Sequence, residues 1–176
     1  EYSSALGVKA HYRYMVSPFL ILWPMLSYEN KSFELNSRRN ADHLDLSLDA
    51  AFPFKGFWWG LSAGYARENA RDDEFSYDRW TFRISANRDL GRGFSIFSSY
   101  ELALSDYEEQ PDLFDETRQD TIHYFDLGLK KIFWQTPDKI QSLAMTLGGR
   151  HTHADSSLEL YDYNKNVVYS SLEYGF

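Results

Sequence analysis

Imidazole, carboxylate and hydroxyl groups are concentrated in one short segment, residues 150–157, which reads Arg-His-Thr-His-Ala-Asp-Ser-Ser. A histidine held beside a serine can activate the hydroxyl to attack an ester, as in barrel lipases. Side chains two residues apart in a strand share a face. The residues two places after His151 and His153 are His153 and Asp155, so neither histidine has a serine where it is needed. We therefore predict no catalytic residue and no enzyme.

Two groups of residues have the types that bind metal ions. His151 and His153 lack a convincing third ligand, which a zinc site requires. Residues 106–116 read Asp-Tyr-Glu-Glu-Gln-Pro-Asp-Leu-Phe-Asp-Glu, and their carboxylates suit Ca²⁺ or a divalent ion that bridges lipopolysaccharide phosphates. The segment lacks the glycine-containing spacing of a calcium loop, so a solvated surface loop is favoured. We predict no metal and no cofactor.

The composition excludes several classes of protein. The net charge is −8, which opposes a nucleic-acid partner because phosphate neutralisation needs clustered lysine and arginine. Cysteine is absent, so no disulfide framework is possible. The longest apolar run, residues 18–26, contains Pro24 and is too short to cross a membrane as a helix. Any membrane crossing must therefore be made by strands.

Apolar and polar residues alternate over about nine segments of roughly ten residues each, separated by turn-forming clusters. The clearest segment is residues 42–52, in which Leu44, Leu46 and Leu48 share one face while Asp45 and Asp49 share the other. One face suits lipid and the other suits water. The pattern predicts an all-β, antiparallel up-and-down transmembrane barrel in the outer membrane of a Gram-negative bacterium.

The connections between the segments alternate in length. Short ones are predicted at residues 16–18, 53–56, 91–93 and 135–139, and long polar ones at residues 30–40, 68–74, 108–119 and 154–164. Outer-membrane barrels place short turns in the periplasm and long loops outside the cell. We therefore expect the long, acidic loops to be extracellular.

The direction of the strands bears on the extent of the barrel. If Phe176 lies at the periplasmic end, counting back through nine segments makes the first one, residues 4–15, run downward as well. Bacterial barrels have an even number of strands, so at least one upward strand should precede Glu1. We expect residues 1–176 to be the C-terminal part of a larger barrel. The alternative is a complete eight-stranded barrel, in which residues 2–35 form one strand plus a plug or leader.

Charged residues on the polar side of the segments are the candidate lumen-lining residues. Pairing across neighbouring strands is the favoured account of these charges, and a path for a charged or sugar-like passenger is the alternative. The candidates are Lys9, His11, Arg13, His43, Asp45, Asp49, Arg79, Arg83, Glu101, Asp126, Lys130, Arg150 and Glu173.

Aromatic residues make up 18% of the chain, and those near strand ends suit the interfacial girdles of membrane barrels. A soluble lipid-binding barrel of lipocalin size would also be rich in aromatic residues. Against that alternative, the apolar faces recur at the length of a tilted span, and the opposite faces hold many charges. We expect contact with outer-membrane lipids and lipopolysaccharide, and recognition of the terminal aromatic residue by the barrel assembly machinery. The candidate interface aromatics are Trp59, Trp80, Tyr100, Phe133, Tyr174 and Phe176.

Several stretches resemble the C-terminal barrel of the surface lipoprotein assembly modifier family, whose members carry tetratricopeptide repeats ahead of the barrel. One stretch is Arg118-Gln119-Asp120, which opens a strand that runs through Leu127-Gly128-Leu129. Another is residues 154–166, where a serine-containing loop leads to Tyr-Asp-Tyr and a basic-Asn pair. A weaker similarity covers residues 87–120, so the resemblance touches about half of the chain, mainly after Trp80.

The resemblance implies a barrel with more strands than these residues supply, and a periplasmic repeat domain before it. It also implies a non-enzymatic role in moving lipoproteins or similar passengers to the cell surface. Two other functions are carried as alternatives. One is a porin or exopolysaccharide-export channel, and the other is a small barrel lipid hydrolase.

Overall fold

The computed structural model describes residues 3–110, 115–136 and 141–175, and these form one antiparallel sheet of ten strands. Three short 3₁₀ turns, Ser37–Arg39, Asp73–Phe75 and Glu159–Tyr161, lie in the connections. No helical turn in the described ranges is long or apolar enough to cross a membrane. The strands are β1 (Ser3–His11), β2 (Tyr14–Ser17), β3 (Leu20–Phe33), β4 (Ala41–Phe54), β5 (Phe57–Ala70), β6 (Tyr77–Gly91), β7 (Phe94–Tyr107), β8 (Gln119–Gln135), β9 (Ser142–Ser156) and β10 (Tyr163–Gly175).

The strands follow one another in chain order, as expected for an up-and-down barrel sheet. β1 and β2 both pair with β3, and from β3 onward each strand pairs with the next. The predicted first strand is interrupted at Tyr12 and Arg13, but Tyr12 N still donates to Pro24 O, at 3.2 Å. β1 and β2 therefore continue one line, and the nine predicted segments correspond to nine positions across the sheet. The predicted fold class is confirmed.

The predicted alternation of faces is also confirmed. In β4, Leu46 lies opposite Leu26 and Tyr65, while Asp45 lies opposite Ser27 and Ala66. Leu46 and Leu48 are 44% and 48% exposed, so these leucines are presented outward rather than packed into a core. Large exposed apolar side chains continue along this face through every strand from β4 to β10. The sheet therefore has an outward apolar face suited to lipid and an opposite polar face.

The two ends of the sheet are not paired with each other among the described residues, because β1 and β10 are its outermost strands. These residues form an open sheet. The eight-stranded alternative is wrong, because residues 3–33 supply β1, β2 and β3, all within the sheet, and leave no plug or leader.

Short turns and longer loops alternate as predicted, but the longer loops are shorter than expected. β3 runs to Phe33, β5 to Ala70 and β9 to Ser156, several residues beyond the predicted loop starts. Cross-strand contacts extend these strands. Asn30 Nδ2 donates to Asp42 Oδ1 at 3.0 Å, and Lys31 pairs with Glu68 at 2.6 Å. Polarity alone therefore placed the loop boundaries too early.

The tight turns at the other end depend on residues with positive φ. Lys55 and Gly56 have φ of 38° and 77°, and Arg92 and Gly93 have φ of 52° and 77°. Two consecutive left-handed residues give the turn whose twist matches a two-residue hairpin. The predicted short connection at residues 135–139 lies partly outside the described residues.

Aromatic rings pack over glycines on the polar face. Phe97, Gly128, Gly148 and Tyr169 form one row across β7 to β10. A Cβ on Gly128 would lie 2.2 Å from the Phe97 ring, and one on Gly148 would lie 2.6 Å from the Tyr169 ring. The two rings therefore fill the space above the two glycines, and this row keeps the polar face closely packed without a large apolar core.

We expect Gly93→Ala to destabilise the sheet more than Gly91→Ala. Both glycines have positive φ, which costs an alanine roughly 1–2 kcal/mol. Only at Gly93 would the new Cβ also meet backbone, the Ile132 carbonyl oxygen at 2.5 Å, whereas nothing lies within 4 Å at Gly91. Urea unfolding in lipid vesicles, followed by tryptophan fluorescence, measures both free energies. Equal losses for the two variants would contradict the clash.

Candidate functional site

The polar face is the candidate functional site. The pairing register places every candidate lumen-lining residue except Arg13 on it, and lining of a closed lumen stays a prediction. Arg13, between β1 and β2, joins this face through its guanidinium, 5.4 Å from the Trp23 ring. Sequence reasoning missed Lys31 and Glu68, which lie on the same face, because both were assigned to loops. Their alternation with neighbouring strand residues was the available signal.

Glu68 organises the polar face near the loops. Its Oε2 accepts from Lys31 Nζ at 2.6 Å and Tyr77 OH at 3.3 Å, and lies 3.1 Å from His43 Nδ1. The Lys31 and Glu68 side chains are 24% and 13% exposed, so water screens this pair only in part. One carboxylate therefore connects β3, β4, β5 and β6 at the same height of the sheet.

Arg118 joins the loop before β8 to the 3₁₀ turn before β10. Its guanidinium lies 3.6 Å from the Tyr161 ring centroid and 4.5 Å from that of Tyr107. It also donates to both Asp120 carboxylate oxygens, at 2.9 and 2.5 Å. Burial is the largest single effect and lowers the pKa of Arg118, but the Asp120 hydrogen bonds together with the charge interactions with Tyr107, Asp120 and Tyr161 outweigh burial and raise this pKa. The stacked, forked arrangement is one that arginine makes and lysine does not.

A cavity of about 280 Å³ lies under the loops between these two groups. It is lined by Glu68, Tyr77, Tyr107, Arg118 and Tyr161, with residues of the first two 3₁₀ turns. The Tyr77 and Tyr107 rings are in contact, with centroids 5.4 Å apart. The three 3₁₀ turns therefore converge over one end of the polar face.

Some of the candidate charges form ion pairs, as the favoured account predicted. Arg150 contacts Asp126 Oδ2 at 2.9 Å, and Lys130 Nζ contacts Glu173 Oε2 at 2.6 Å across the intervening strand β9. The Asp126 Oδ1 atom is buried and has no hydrogen-bond partner among the described residues. An unsatisfied carboxylate oxygen costs folding free energy, so this pair is only half satisfied.

Other candidate charges lack an oppositely charged partner in the described ranges. Arg79 Nε donates to Ser105 Oγ at 2.8 Å, and Arg83 Nη2 reaches Ser99 Oγ at 3.3 Å. Ser62 donates to Asp49, and the Asp45 carboxylate has no hydrogen bond or ion pair to another side chain in the described part of the chain. Ion pairing therefore accounts for only some of the charges on the polar face. Asp45, Asp49, Arg79 and Arg83 form no ion pair among the described residues.

The outward face carries the candidate interface aromatics. Trp59 and Trp80 are 49% and 50% exposed, and Tyr174 is 60% exposed. Phe133 is 57% exposed at a register shift between Ile132 and Trp134. Tyr100 lies on the same face but is half-buried against Phe125. Phe176 lies outside the described residues. Contact of these rings with lipid stays a prediction.

His151 and His153 lie inside β9, five and three residues before its last residue, and not in a loop. They face outward, where each Nδ1 contacts an asparagine of β10, Asn166 at 2.8 Å and Asn164 at 2.9 Å. His153 Nε2 also lies 3.1 Å from Asp155 Oδ2. No serine hydroxyl contacts either ring among the described residues, so this geometry offers no activated nucleophile.

Metal ligands are not assembled in the described part of the chain. No group of three or more His, Asp or Glu side chains is placed to hold an ion there. The acidic loop considered for calcium, residues 106–116, lies partly outside the described residues.

Comparisons with known proteins agree with this architecture. A model of the family described as surface lipoprotein assembly modifier matches residues 1–176, so the similarity extends through the whole chain and not mainly after Trp80. No curated protein matches the sequence.

Two solved structures share the fold. One is a loop L8 deletion mutant of OmpT, an outer membrane protein of Vibrio cholerae, with a TM-score of 0.60 and 11% identity over 98% of this chain and 54% of that one. The other is Acinetobacter baumannii OccAB3, with a TM-score of 0.52 and 12% identity over 97% of this chain and 49% of that one. The chain thus spans about half the length of each barrel it matches.

We expect Arg118→Lys to loosen the 3₁₀ turn that contains Tyr161. Lysine loses both the flat stacking on the ring and the forked bond to Asp120, which together should increase chymotrypsin cleavage at that turn by about fivefold, equivalent to about 1 kcal/mol of local opening. Arg71→Lys is the matched control, because Arg71 is an exposed loop arginine whose guanidinium makes no hydrogen bond or ion pair with the residues that the structure describes. Equal cleavage rates for the two variants would show that Arg118 does not hold this turn in place.

Proposed function

Because the chain belongs to the surface lipoprotein assembly modifier family, we propose that it is the membrane-spanning part of a protein that assists lipoproteins or similar passengers to reach the cell surface. The match of the family model to residues 1–176 carries this proposal. The family and the barrel neighbours support an outer-membrane location. The proposed role is non-enzymatic and needs no cofactor.

We propose that the passenger moves along the polar face of the sheet. Its ion pairs, Lys31–Glu68 and Lys130–Glu173, fix side chains near its two ends. Between them, Asp45 and Arg83 stay available to a passing polar chain. Charges of both signs let a polar passenger slide along the face without one strongly favoured position.

A larger barrel supplies the context of this proposal. In hydrocarbon, an open sheet edge leaves its amide and carbonyl groups without partners, and each costs several kcal/mol by order of magnitude. The outermost strands β1 and β10 carry apolar side chains outward, including Leu6 and Val168, each 83% exposed. We propose that further strands pair with these edges, and that a periplasmic repeat domain precedes the barrel.

A second candidate function is a channel for small polar solutes. The observation that favours it is that Asp49 of β4 and Arg83 of β6 bond only to serine hydroxyls among the described residues, which leaves charges of both signs open to small polar solutes. Planar-bilayer recordings separate the two functions. Steady conductance from the full-length protein alone favours the channel, and a sealed barrel that opens only with a passenger favours translocation.

For the proposed function we expect deletion of the full-length gene to reduce the fraction of lipoproteins exposed at the cell surface without changing their total amount. Protease shaving of intact cells, followed by quantification of each lipoprotein, measures the exposed fraction. Re-expression of the full-length protein should restore it, and the same protein lacking residues 1–176 should not. An unchanged exposed fraction in the deletion strain would contradict lipoprotein display.

We also propose that the longer loops are extracellular and the tight turns periplasmic. The sequence contains no cysteine, so single cysteines report topology without background from these residues. Leu160 is 74% exposed in a loop, and Phe19 is 64% exposed in a tight turn. A membrane-impermeant maleimide should label Leu160→Cys on intact cells and label Phe19→Cys only after the outer membrane is permeabilised. The reverse pattern would invert the orientation.

A further inference from the structure

Opposite charges face each other across β5 on the polar face without forming an ion pair. The register aligns Asp49 of β4, Ser62 of β5, Arg83 of β6 and Glu101 of β7 in one row. Ser62 donates its hydroxyl to Asp49 Oδ1, and Arg83 turns away from β5 toward Ser99 of β7, 3.3 Å from its Nη2. Among the described residues neither Asp49 nor Arg83 forms an ion pair, although Glu101 of β7 lies opposite Arg83 in the register.

The distance between β4 and β6 does not explain why Asp49 and Arg83 form no ion pair. Strands in a sheet are about 4.8 Å apart, so positions two strands apart are separated by roughly 10 Å. Lys31 and Glu68 bridge that separation across β4, and Lys130 and Glu173 bridge it across β9, each with an N–O distance of 2.6 Å. An arginine is long enough to do the same. The Asp49 and Arg83 side chains are instead held apart by their serine partners.

A cavity of about 310 Å³ occupies the space between the two charges. Asp49 and Arg83 stand at its two sides, Trp23 contributes a third wall, and Gly60, Ser62 and Ser85 lie between them. A Cβ on Gly60 would lie 2.4 Å from Ser85 Oγ, so a glycine at this position leaves the base of the cavity unfilled. The cavity therefore has a carboxylate on one side, a guanidinium on the other, and hydroxyls between them.

We propose that this cavity binds a small zwitterion, with its ammonium group at Asp49 and its carboxylate or phosphate group at Arg83. Asp49 keeps one carboxylate oxygen for an ammonium donor, because Ser62 occupies the other. The Arg83 guanidinium makes one long bond to Ser99 and keeps donors for a forked bond to an oxyanion. The proposal is independent of the passenger that the whole protein handles.

A zwitterion can bind both Asp49 and Arg83, whereas an ion of one sign can bind only one of them. A simple anion near Arg83 also meets the carboxylate of Asp49, and a simple cation near Asp49 also meets Arg83. The second opposed pair, Asp45 and Arg79, is less open, because Arg79 is held by Ser105 and lies 4.6 Å from the Tyr77 ring centroid. The binding site is therefore the row of Asp49 and Arg83.

The test uses the full-length protein, folded in detergent, and ligand-detected NMR titrations at constant ionic strength. The probes are γ-aminobutyrate and phosphoethanolamine as zwitterions, with butyrate and butylammonium as single-charge controls. We expect a zwitterion to bind at least about tenfold more tightly than either control, a ratio that corresponds to about 1.4 kcal/mol. Preference for γ-aminobutyrate identifies an amino-acid type of ligand, and preference for phosphoethanolamine identifies a headgroup type.

Substitutions of Asp49 and Arg83 test whether these two residues bind the zwitterion. Asp49→Asn and Arg83→Gln should each remove the advantage of the zwitterion, and the double variant should lose little more than either single one. Glu173→Gln is the matched control, since it removes a carboxylate from the same face at a distant ion pair. A shift in gel mobility on heating verifies folding for each variant. Equal binding of all four probes, or an advantage that survives Asp49→Asn and Arg83→Gln, would overturn the proposal.

Discussion

A strand in hydrocarbon has no water to bond its amide and carbonyl groups, so each group must find a partner on a neighbouring strand. This requirement fixes the antiparallel register between successive strands, from β3 through β10. Once the register is fixed, the alternation of side chains assigns each residue to one of two faces. Asp49 therefore meets Ser62, and Leu48 meets Ala63, with no freedom to exchange. The charges on the polar face follow from backbone pairing.

The same alternation made the fold readable from the sequence. A period of two is a local property, and β4 shows it through residues 44–50 and β6 through residues 80–87, so these faces could be assigned residue by residue. The interruption at Tyr12 and Arg13 was not visible, because the alternating pattern continues through it. Loop boundaries failed for a different reason. Asn30 and Glu68 are polar because they bond across strands, and polarity was taken as a sign of a loop.

Which charges pair could not be predicted from alternation. The Lys31–Glu68 and Asp49–Arg83 positions each span one intervening strand, yet only the first forms an ion pair. The difference arises from neighbours in adjoining rows. Ser62 and Ser99 draw Asp49 and Arg83 apart, while Tyr77 and His43 hold Glu68 where Lys31 can reach it. Such choices depend on side-chain rotamers and on residues far apart in the sequence.

The polar face thus divides into two kinds of surface, with different physical consequences. Where a carboxylate is shared by several donors, as at Glu68, the charges neutralise each other and hold strands together. Where a serine hydroxyl is the hydrogen-bond partner that the described residues provide, as at Arg83, the charge stays available because a neutral hydroxyl cannot cancel it. An exposed charge is stable in this form only beside water, since hydrocarbon would penalise it heavily. The polar face of β4 to β6 therefore has to border an aqueous space, and any molecule that enters that space meets a carboxylate and a guanidinium on opposite sides of β5.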